Sequence, residues 1–184
     1  MNVKIIDYRD SWQAVKDAAM NTIGKEGGEY PDSRWKRKML LAEHSPIRLI
    51  ELTILITDVP YWVVMHLVRH KVGVEHFVST QRTDRTGTDR STLTQDALVN
   101  YRFQANAQAL INISRKRLCN QAARETRLVW SMVRDAVEEV EPELAAVMVP
   151  ECVYRGVCPE MKSCGWATSY GFTAARLNYE RGLL

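Results

Sequence analysis

Several features that define other protein classes are missing from this chain of 184 residues. No apolar stretch reaches the roughly 18 residues that a membrane-spanning helix needs, and the opening MNVKIIDYRD lacks the charged start and hydrophobic run of a signal peptide. The sequence shows no internal repeat and no low-complexity segment. Its 26% of charged and 46% of hydrophobic residues are typical of a folded globular protein. We therefore expect a cytoplasmic protein without membrane contact.

Excess charge of one sign is also scarce. The formal net charge is only +3, which is too small to indicate a polynucleotide as the partner by itself. The charges are nevertheless unevenly distributed, since residues 115–127 carry five basic side chains against one acid, and residues 135–143 carry five acids. Such separate blocks favour a local anion site over a basic face.

Apolar periodicity and capping residues predict both strands and helices. Strands are expected at residues 2–8 and 48–57. Asp58 is expected to cap a buried helix with Pro60 in its first turn, and an exposed loop is expected at 83–96. Pro142 is expected to break a long helix over 104–140 before a short helix to Val149. Further helices are expected at 10–24, 32–44 and 166–184.

The stretch VRHKVGVEHFVSTQR, residues 68–82, follows the predicted buried helix directly. Cations at the carboxyl end of a helix suit its dipole, and this explanation is adequate for each of them singly. It does not explain why Gly73 interrupts the chain, or why hydroxyls and a guanidinium follow at residues 79–82. A turn on which such groups converge is suited to a phosphate. The stretch therefore favours a phosphate clamp.

Polar residues also interrupt one face of the predicted long helix. At about 100° per residue, one stripe mixes core residues with polar ones. Arg117 and Gln121 could snorkel or pair with acids of the same chain, but several buried polar groups together predict an anionic ligand, because a buried guanidinium must be paired. The stripe consists of Asn106, Leu110, Ile113, Arg117, Gln121, Arg124 and Leu128.

The order of these segments resembles the flavin-dependent thymidylate synthases, the ThyX family. The Arg-His-Arg motif of that family, followed by a Ser and an Arg, is similar to RHKVGVEHFVSTQR here, and an upstream histidine is similar to His44 in EHSP. The family pattern Asn-x-Arg-x-x-x-Asn-x-x-x-x-Arg leading into Ala-Gln-x-Glu resembles NAQALINISRKRLCNQAARE. Each motif alone is modest, but both occur in the right order. The resemblance covers roughly residues 30–145.

The resemblance implies two groups of ligand contacts. The flavin FAD would be bound by Arg69, His70, Lys71, Asn106, Asn112 and Gln121. The nucleotide would be bound by His66, Ser79, Arg82, Arg90 and Arg117.

Three of these residues would act in catalysis, namely Arg117, which would face the pyrimidine ring, with Arg82 and Ser79 at the phosphate. The extra residue in STQR leaves Ser79 and Thr80 both open for the serine role.

Several departures from the family pattern concern the same groups. The segment between Arg82 and Asn106 is several dozen residues shorter than in the family, and Arg90 stands where an arginine of the missing part would be expected. Lys71 and Gln108 replace arginines, and neither offers the bidentate geometry of a guanidinium. Flavin affinity or substrate choice is therefore expected to differ.

The resemblance implies an α+β protein, a small antiparallel sheet packed with long helices, that converts dUMP to dTMP. The one-carbon unit would come from methylenetetrahydrofolate, and the hydride from FAD reduced by NADPH. Active sites would be shared in a homotetramer. The sequence shows no Cys or Ser beside a base, and this reaction needs no protein nucleophile. Hydroxymethylation of a related pyrimidine nucleotide, and a non-catalytic nucleotide-binding or nucleic-acid-binding protein, stay open as alternatives.

The cysteines lie mostly outside the family motifs. Cys152, Cys158 and Cys164 have the spacing C-x5-C-x5-C, which suggests a zinc or iron-sulfur site with Cys119 as a fourth ligand. Three reduced thiols without metal are an equal alternative. We accordingly divide the chain into a flavin- and nucleotide-binding domain, 1–149, and a cysteine-containing segment, 150–184, packed on that domain.

Overall fold

A four-stranded antiparallel sheet forms the centre of the computed structural model, which describes residues 1–181. The strand order is β1-β2-β4-β3, so that β2 and β4 are central. Helices cover one face of the sheet, and the expected α+β class is confirmed. The strands are β1 (Asn2–Tyr8), β2 (Glu51–Pro60), β3 (Val74–Val78) and β4 (Leu98–Asn106).

The alternation of side chains along β2 and β4 explains why one sheet face is buried. Ile54 on β2 pairs with Phe103 on β4, and both are fully buried. On the opposite face Arg102 and Gln104 are exposed. Because successive strand residues point to opposite faces, this pattern directs every second residue of β4 into the helical layer.

Nine α-helices and three short 3-10 segments surround the sheet within residues 1–181. The 3-10 segments are Ser45–Leu49, Arg90–Thr92 and Trp166–Thr168. The helices are α1 (Trp12–Asn21), α2 (Ser33–Leu41), α3 (Tyr61–Leu67), α4 (Thr83–Thr86), α5 (Ala107–Arg117), α6 (Arg124–Glu138), α7 (Pro142–Val147), α8 (Glu151–Arg155) and α9 (Tyr170–Arg181).

The single long helix predicted over 104–140 is wrong. Residues 104–106 complete β4, and the Asn106 side chain accepts a hydrogen bond from the backbone N–H of Ala109, so it caps α5. A second break at 118–123 separates α5 from α6. The alternating burial of LVNYRFQAN is a strand pattern, and the buried rings of Tyr101 and Phe103 fix it in the sheet.

The region before the basic stretch also differs from the prediction. Asp58 does not cap a helix, because it has a φ of 55° in an irregular part of β2, which continues through Pro60. Helix α3 ends at Leu67, one turn earlier than the sequence predicts. The following residues turn back into β3, a strand that the sequence reading missed. The basic stretch therefore lies at a helix-to-strand turn.

The C-terminal residues pack on the same hydrophobic core as the sheet. Cys152, Val153, Phe172 and Tyr179 are buried in one cluster with the strand residues. The boundary proposed at 149/150 stays a prediction, and residues 182–184 of that segment lie outside the described part. Within residues 1–181, no helix has both the length and the apolar character needed to cross a membrane.

Candidate anion-binding site

The carboxyl end of α5 meets the turn that follows α3 at Arg117. The Nε of Arg117 donates a hydrogen bond to Nε2 of His70 at 2.9 Å, and a terminal nitrogen of its guanidinium donates to the carbonyl of His66 at 2.5 Å. Both acceptors are neutral groups. The guanidinium is therefore held in place without its charge being cancelled.

Arg117 and Arg69 form a cationic pair at this place. Among residues 1–181, neither arginine makes an ion pair with a carboxylate. Partial burial and the neighbouring charge of Arg69 lower the pKa of Arg117. A half-buried cation beside another cation is unfavourable unless an anion joins them. An anionic ligand would therefore stabilise this pair.

His70 is the neutral partner of this arrangement. Burial, then the charge of Arg117 and the neighbouring His76, lower the pKa of His70 to about 4. Because its Nε2 accepts the hydrogen bond from Arg117, the ring proton lies on Nδ1. His70 thus acts as a hydrogen-bond acceptor at neutral pH and adds no positive charge.

A second histidine fixes the backbone of His70. The Nε2 of His76 donates to the His70 carbonyl at 2.7 Å, because a carbonyl oxygen only accepts, and the Tyr101 hydroxyl donates to Nδ1 of His76 at 2.6 Å. Burial raises the pKa of Tyr101, so this hydroxyl keeps its proton. The sequence reading missed both residues, although the alternation of β3 and β4 directs them towards the helices.

Gly73 allows the turn between α3 and β3 to close against the start of α5. It has a φ of 71°, and a Cβ at this position would lie 2.5 Å from Nδ2 of Asn106. The backbone N–H of Asn106 donates to the Gly73 carbonyl at 3.1 Å. Asn106, a predicted flavin contact, therefore lies beside the basic turn, where it also caps α5.

His66 connects the site to the start of α6. Its Nδ1 lies 3.0 Å from Oγ1 of the buried Thr126, and its ring meets Trp62 edge-on at 5.5 Å. Burial, Arg117 and Arg69 lower the pKa of His66. Thr126 was not singled out from the sequence, since a threonine in the first turn of a helix is common.

The predicted phosphate residues lie on a separate exposed segment. The hydroxyl of Ser79 accepts a hydrogen bond from the Asn100 backbone at 2.9 Å, and Arg82 makes two hydrogen bonds to Asp84 at 3.0 and 2.8 Å. Arg90 is also exposed. Within residues 1–181, no hydrogen bond or ion pair joins these side chains to Arg117. Their role in phosphate binding stays a prediction.

The remaining predicted flavin residues are divided between two surfaces. Lys71 is exposed next to the basic turn, and Asn112 is exposed on α5, where it accepts a hydrogen bond from Arg115 at 3.1 Å. The amide of Gln121 instead donates to the carbonyl of Lys162 at 2.8 Å. Gln121 lines a cavity that Arg117 does not line, so the structure places its side chain on a different surface from Arg117.

The cavity that Gln121 lines has a volume of about 500 Å³, lies between α6 and the C-terminal segment, and is lined by all four cysteines. Residues 1–181 nevertheless contain no group of three or more His, Cys, Asp or Glu side chains arranged to hold a metal ion. The structure therefore gives no support to the metal site suggested by the C-x5-C-x5-C spacing, which stays a prediction. The cavity is lined by Cys119, Cys152, Cys158 and Cys164.

Comparisons with known proteins support the fold. No protein-family model and no curated protein matches the chain. Among solved structures, the UMP/dUMP methylase PolB from Streptomyces cacaoi, bound with 5-Br dUMP, has a TM-score of 0.63 at 17% identity, covering 79% of this chain and 93% of PolB. The flavin-dependent thymidylate synthase ThyX from Helicobacter pylori, complexed with FAD and dUMP, has a TM-score of 0.61 at 13% identity, covering 81% of this chain and 100% of that one. The chain therefore has a ThyX-like fold.

Proposed function

We propose that this protein binds a uridine nucleotide at Arg117 and methylates its pyrimidine ring in a flavin-dependent, ThyX-like reaction. The expected substrate is dUMP, with methylenetetrahydrofolate as the one-carbon donor and NADPH as the reductant. The observation that carries this proposal is the half-buried guanidinium of Arg117, which is fixed by neutral acceptors and lacks a carboxylate partner. The fold similarity to two uridine-nucleotide enzymes supports the choice of ligand.

Arg117 would serve the reaction through its fixed charge. A guanidinium held in advance beside a pyrimidine carbonyl stabilises negative charge that develops in the ring, without reorganisation during the reaction. His70 would keep that guanidinium oriented, since its ring stays unprotonated at neutral pH. Arg69 would add a second positive charge for the phosphate or for the flavin.

The basic turn fits part of an FAD molecule. Arg69 and Lys71 are exposed cations without a carboxylate partner among the described residues, which suits a pyrophosphate. A bound, reduced flavin would supply the hydride. Gln121 does not fit this group, because its amide is engaged in the cysteine-lined cavity. Asn106 and Asn112 stay proposed contacts.

Nucleotide binding is the first test. Titration calorimetry of the protein with dUMP, UMP and dCMP, with and without FAD, should show a uridine nucleotide bound. Arg117→Ala should weaken this binding about 100-fold, because truncating one partner of a close charge pair costs about 3 kcal/mol. Arg9→Ala removes an exposed charge at the end of β1 and serves as the control. Equal binding by the parent and Arg117→Ala would exclude the assignment.

Product analysis separates methylation from the alternatives. The protein is incubated with FAD, NADPH, methylenetetrahydrofolate and either dUMP or dCMP, and the nucleotide mass is followed. A gain of one methyl group on dUMP is expected. A hydroxymethylated product would instead support the related pyrimidine modification.

The non-catalytic alternative is favoured by one observation. The predicted flavin residues do not all face one surface, since Gln121 is separated from Arg117. A protein that binds dUMP but leaves the FAD spectrum unchanged would fit that second candidate function.

Assembly is part of the proposal. We expect a homotetramer in which contacts to one nucleotide come from more than one copy, because Arg82 is paired with Asp84 and makes no contact with Arg117 among the described hydrogen bonds and ion pairs. A partner copy would supply the missing phosphate contacts.

A further inference from the structure

The outward face of α6 has a regular pattern that the chain itself does not use. Its inner face, which includes Val129, Trp130 and Val133, is buried against the core. The outer residues are spaced alternately by four and three positions, which places them on one stripe. These outer residues are Arg124, Leu128, Ser131, Asp135 and Glu138.

The charges on this helix are ordered against its dipole. Arg124 and Arg127 lie at the amino end, and the carboxyl end carries Glu138 and Glu139 with no basic residue in the last turn. Only Glu125 has the sign that the amino end favours. Such an order is unfavourable for an isolated helix, so a partner that compensates it is expected.

The charges are also symmetric about the middle of the helix. Arg124 and Glu138 each lie seven positions from Ser131, and Arg127 and Asp135 each lie four positions from it. If a second α6 lay antiparallel across Ser131, each arginine would face an acid of the other helix. A parallel arrangement would instead place like charges together. The small side chain of Ser131 permits close approach at the crossing.

Existing contacts leave these groups available. Arg127 donates only to the neutral Asn120, and Asp135 pairs with the adjacent Arg134 at 3.1 Å. Within residues 1–181, Arg124 and Glu138 make no ion pair.

The surface beside α6 has space for a neighbouring helix. The cysteine-lined cavity of about 500 Å³ borders α6 on one flank, and a cavity of about 480 Å³ between α6 and β1 borders the other. Leu128, which lines the cysteine-containing cavity, is 55% exposed. A helix that lies between two clefts can pack against its own symmetry copy.

We propose that α6 is a two-fold interface at which two copies of this chain pair their α6 helices antiparallel across Ser131. The charges, the symmetry and the clefts of α6 support this pairing. It specifies one contact of the proposed assembly, but it needs neither nucleotide nor flavin. Failure of the interface is therefore distinguishable from failure of the proposed reaction.

Charge reversal tests the pairing. In analytical ultracentrifugation of the full chain, Arg124→Glu should weaken self-association at least about tenfold, and Glu138→Arg should do the same. Mixing the two variants should restore association, because opposite charges then face each other in a heterodimer. Arg48→Glu, an exposed reversal away from α6, should leave association unchanged. A monomeric parent at micromolar concentration, or an assembly that persists in both variants, would overturn the proposal.

A folding control accompanies these variants. Arg124→Glu replaces a cation with an acid at the amino end of α6, so circular dichroism should show an intact fold with an equal or higher Tm.

Cross-linking tests the geometry. Ser131→Cys places a thiol on the proposed two-fold axis, and mild oxidation should link two chains through that position, as peptide mass spectrometry would show. Glu138→Cys is the matched control, because each 138 position lies about 10 Å from the axis at 1.5 Å per residue, on opposite sides. Absence of the link in Ser131→Cys, or equal linking in both variants, would overturn the antiparallel register.

Discussion

Two arginines of α5, only two positions apart, have opposite environments. Arg115 has a side chain that is 12% exposed, pairs with the carboxylate of Glu43, and stacks on the Tyr154 ring with its guanidinium carbon 3.5 Å from the ring centroid. Arg117 contacts a neutral imidazole and a carbonyl instead. The first charge is neutralised within the chain and fastens the C-terminal segment. The second has no carboxylate partner among residues 1–181.

The difference shows how function can be separated from structure on one helix. A buried ion pair is costly to break, because the remaining partner keeps an uncompensated charge. A cation held by neutral groups leaves no such partner when it is removed. We therefore expect the Arg115 side of α5 to control stability and the Arg117 side to control ligand binding.

The largest expected effect is on stability. Arg115→Ala should lower the free energy of unfolding by about 3 kcal/mol, since it leaves the carboxylate of Glu43 without its ion-pair partner. Arg117→Ala should change it by less than about 1 kcal/mol. Urea denaturation of both variants and the parent checks this difference. Similar losses in the two variants would contradict the comparison.

The turn beside Arg117 should respond to an added methyl group. Gly73→Ala should cost about 2 to 3 kcal/mol, because a left-handed φ disfavours alanine and the Asn106 cap must move. Gly87 has a similar φ of 73°, but a Cβ there would have no atom within 4 Å, so Gly87→Ala should cost only about 1 kcal/mol. Thermal unfolding measures both, and equal losses would show that the Asn106 contact is unimportant.

Acidic pH should lower the free energy of unfolding through His70, the neutral partner of Arg117. The folded protein holds the pKa of His70 at about 4, whereas an unfolded histidine has a pKa of about 6.5. The unfolded state therefore binds more protons in this range, and stability is lost as the pH falls from about 6.5 to 4. After allowance for solvent screening of a half-exposed ring, the loss is on the order of 1 to 2 kcal/mol.

The matching variant isolates this contribution from the other acid-sensitive groups. His70→Gln keeps a hydrogen-bond acceptor for Arg117 but does not titrate. Its unfolding free energy, measured at several pH values, should fall less than that of the parent between pH 6.5 and 4. Parallel pH profiles would be the contrary result.

The smallest effect concerns thiol reactivity on the Arg115 side. Cys164 is exposed, whereas Cys152 is 8% exposed and burial raises its pKa. Alkylation followed by mass spectrometry should modify Cys164 first and Cys152 slowly. Arg115→Ala should accelerate the alkylation of Cys152, because Cys152 lies two positions before Tyr154. Arg117→Ala should leave that rate unchanged. Unchanged rates in both variants would show that Arg115 does not fasten the segment.

Much of the local structure could be predicted from the sequence. The strand at residues 2–8 and a helix beginning near Asp32 were both predicted and are present, and Asp32 caps that helix. The single helix predicted over 104–140 is wrong at two places, because residues 104–106 belong to β4 and residues 118–123 separate α5 from α6. The alternation of the buried rings of Tyr101 and Phe103 with exposed residues is the local strand signal before the first of these places.

The candidate site could be predicted only in part. The basic turn and Arg117 were singled out together, and the structure does bring His66, His70 and Arg117 into contact. The supporting contacts from His76, Tyr101 and Thr126 were not found, because no local pattern distinguishes them from ordinary residues of a strand or helix.

The sequence by itself determined local features such as the strand at residues 2–8 and the helix that follows Asp32, since alternation and capping act over a few neighbouring residues. Only the tertiary structure decided which cations are neutralised. Arg117 reaches His70 across 47 positions, and Arg115 reaches Glu43 across 72 positions. Such pairs depend on how the sheet and helices pack, because a side chain's charge partner is set by distance in space and not along the chain.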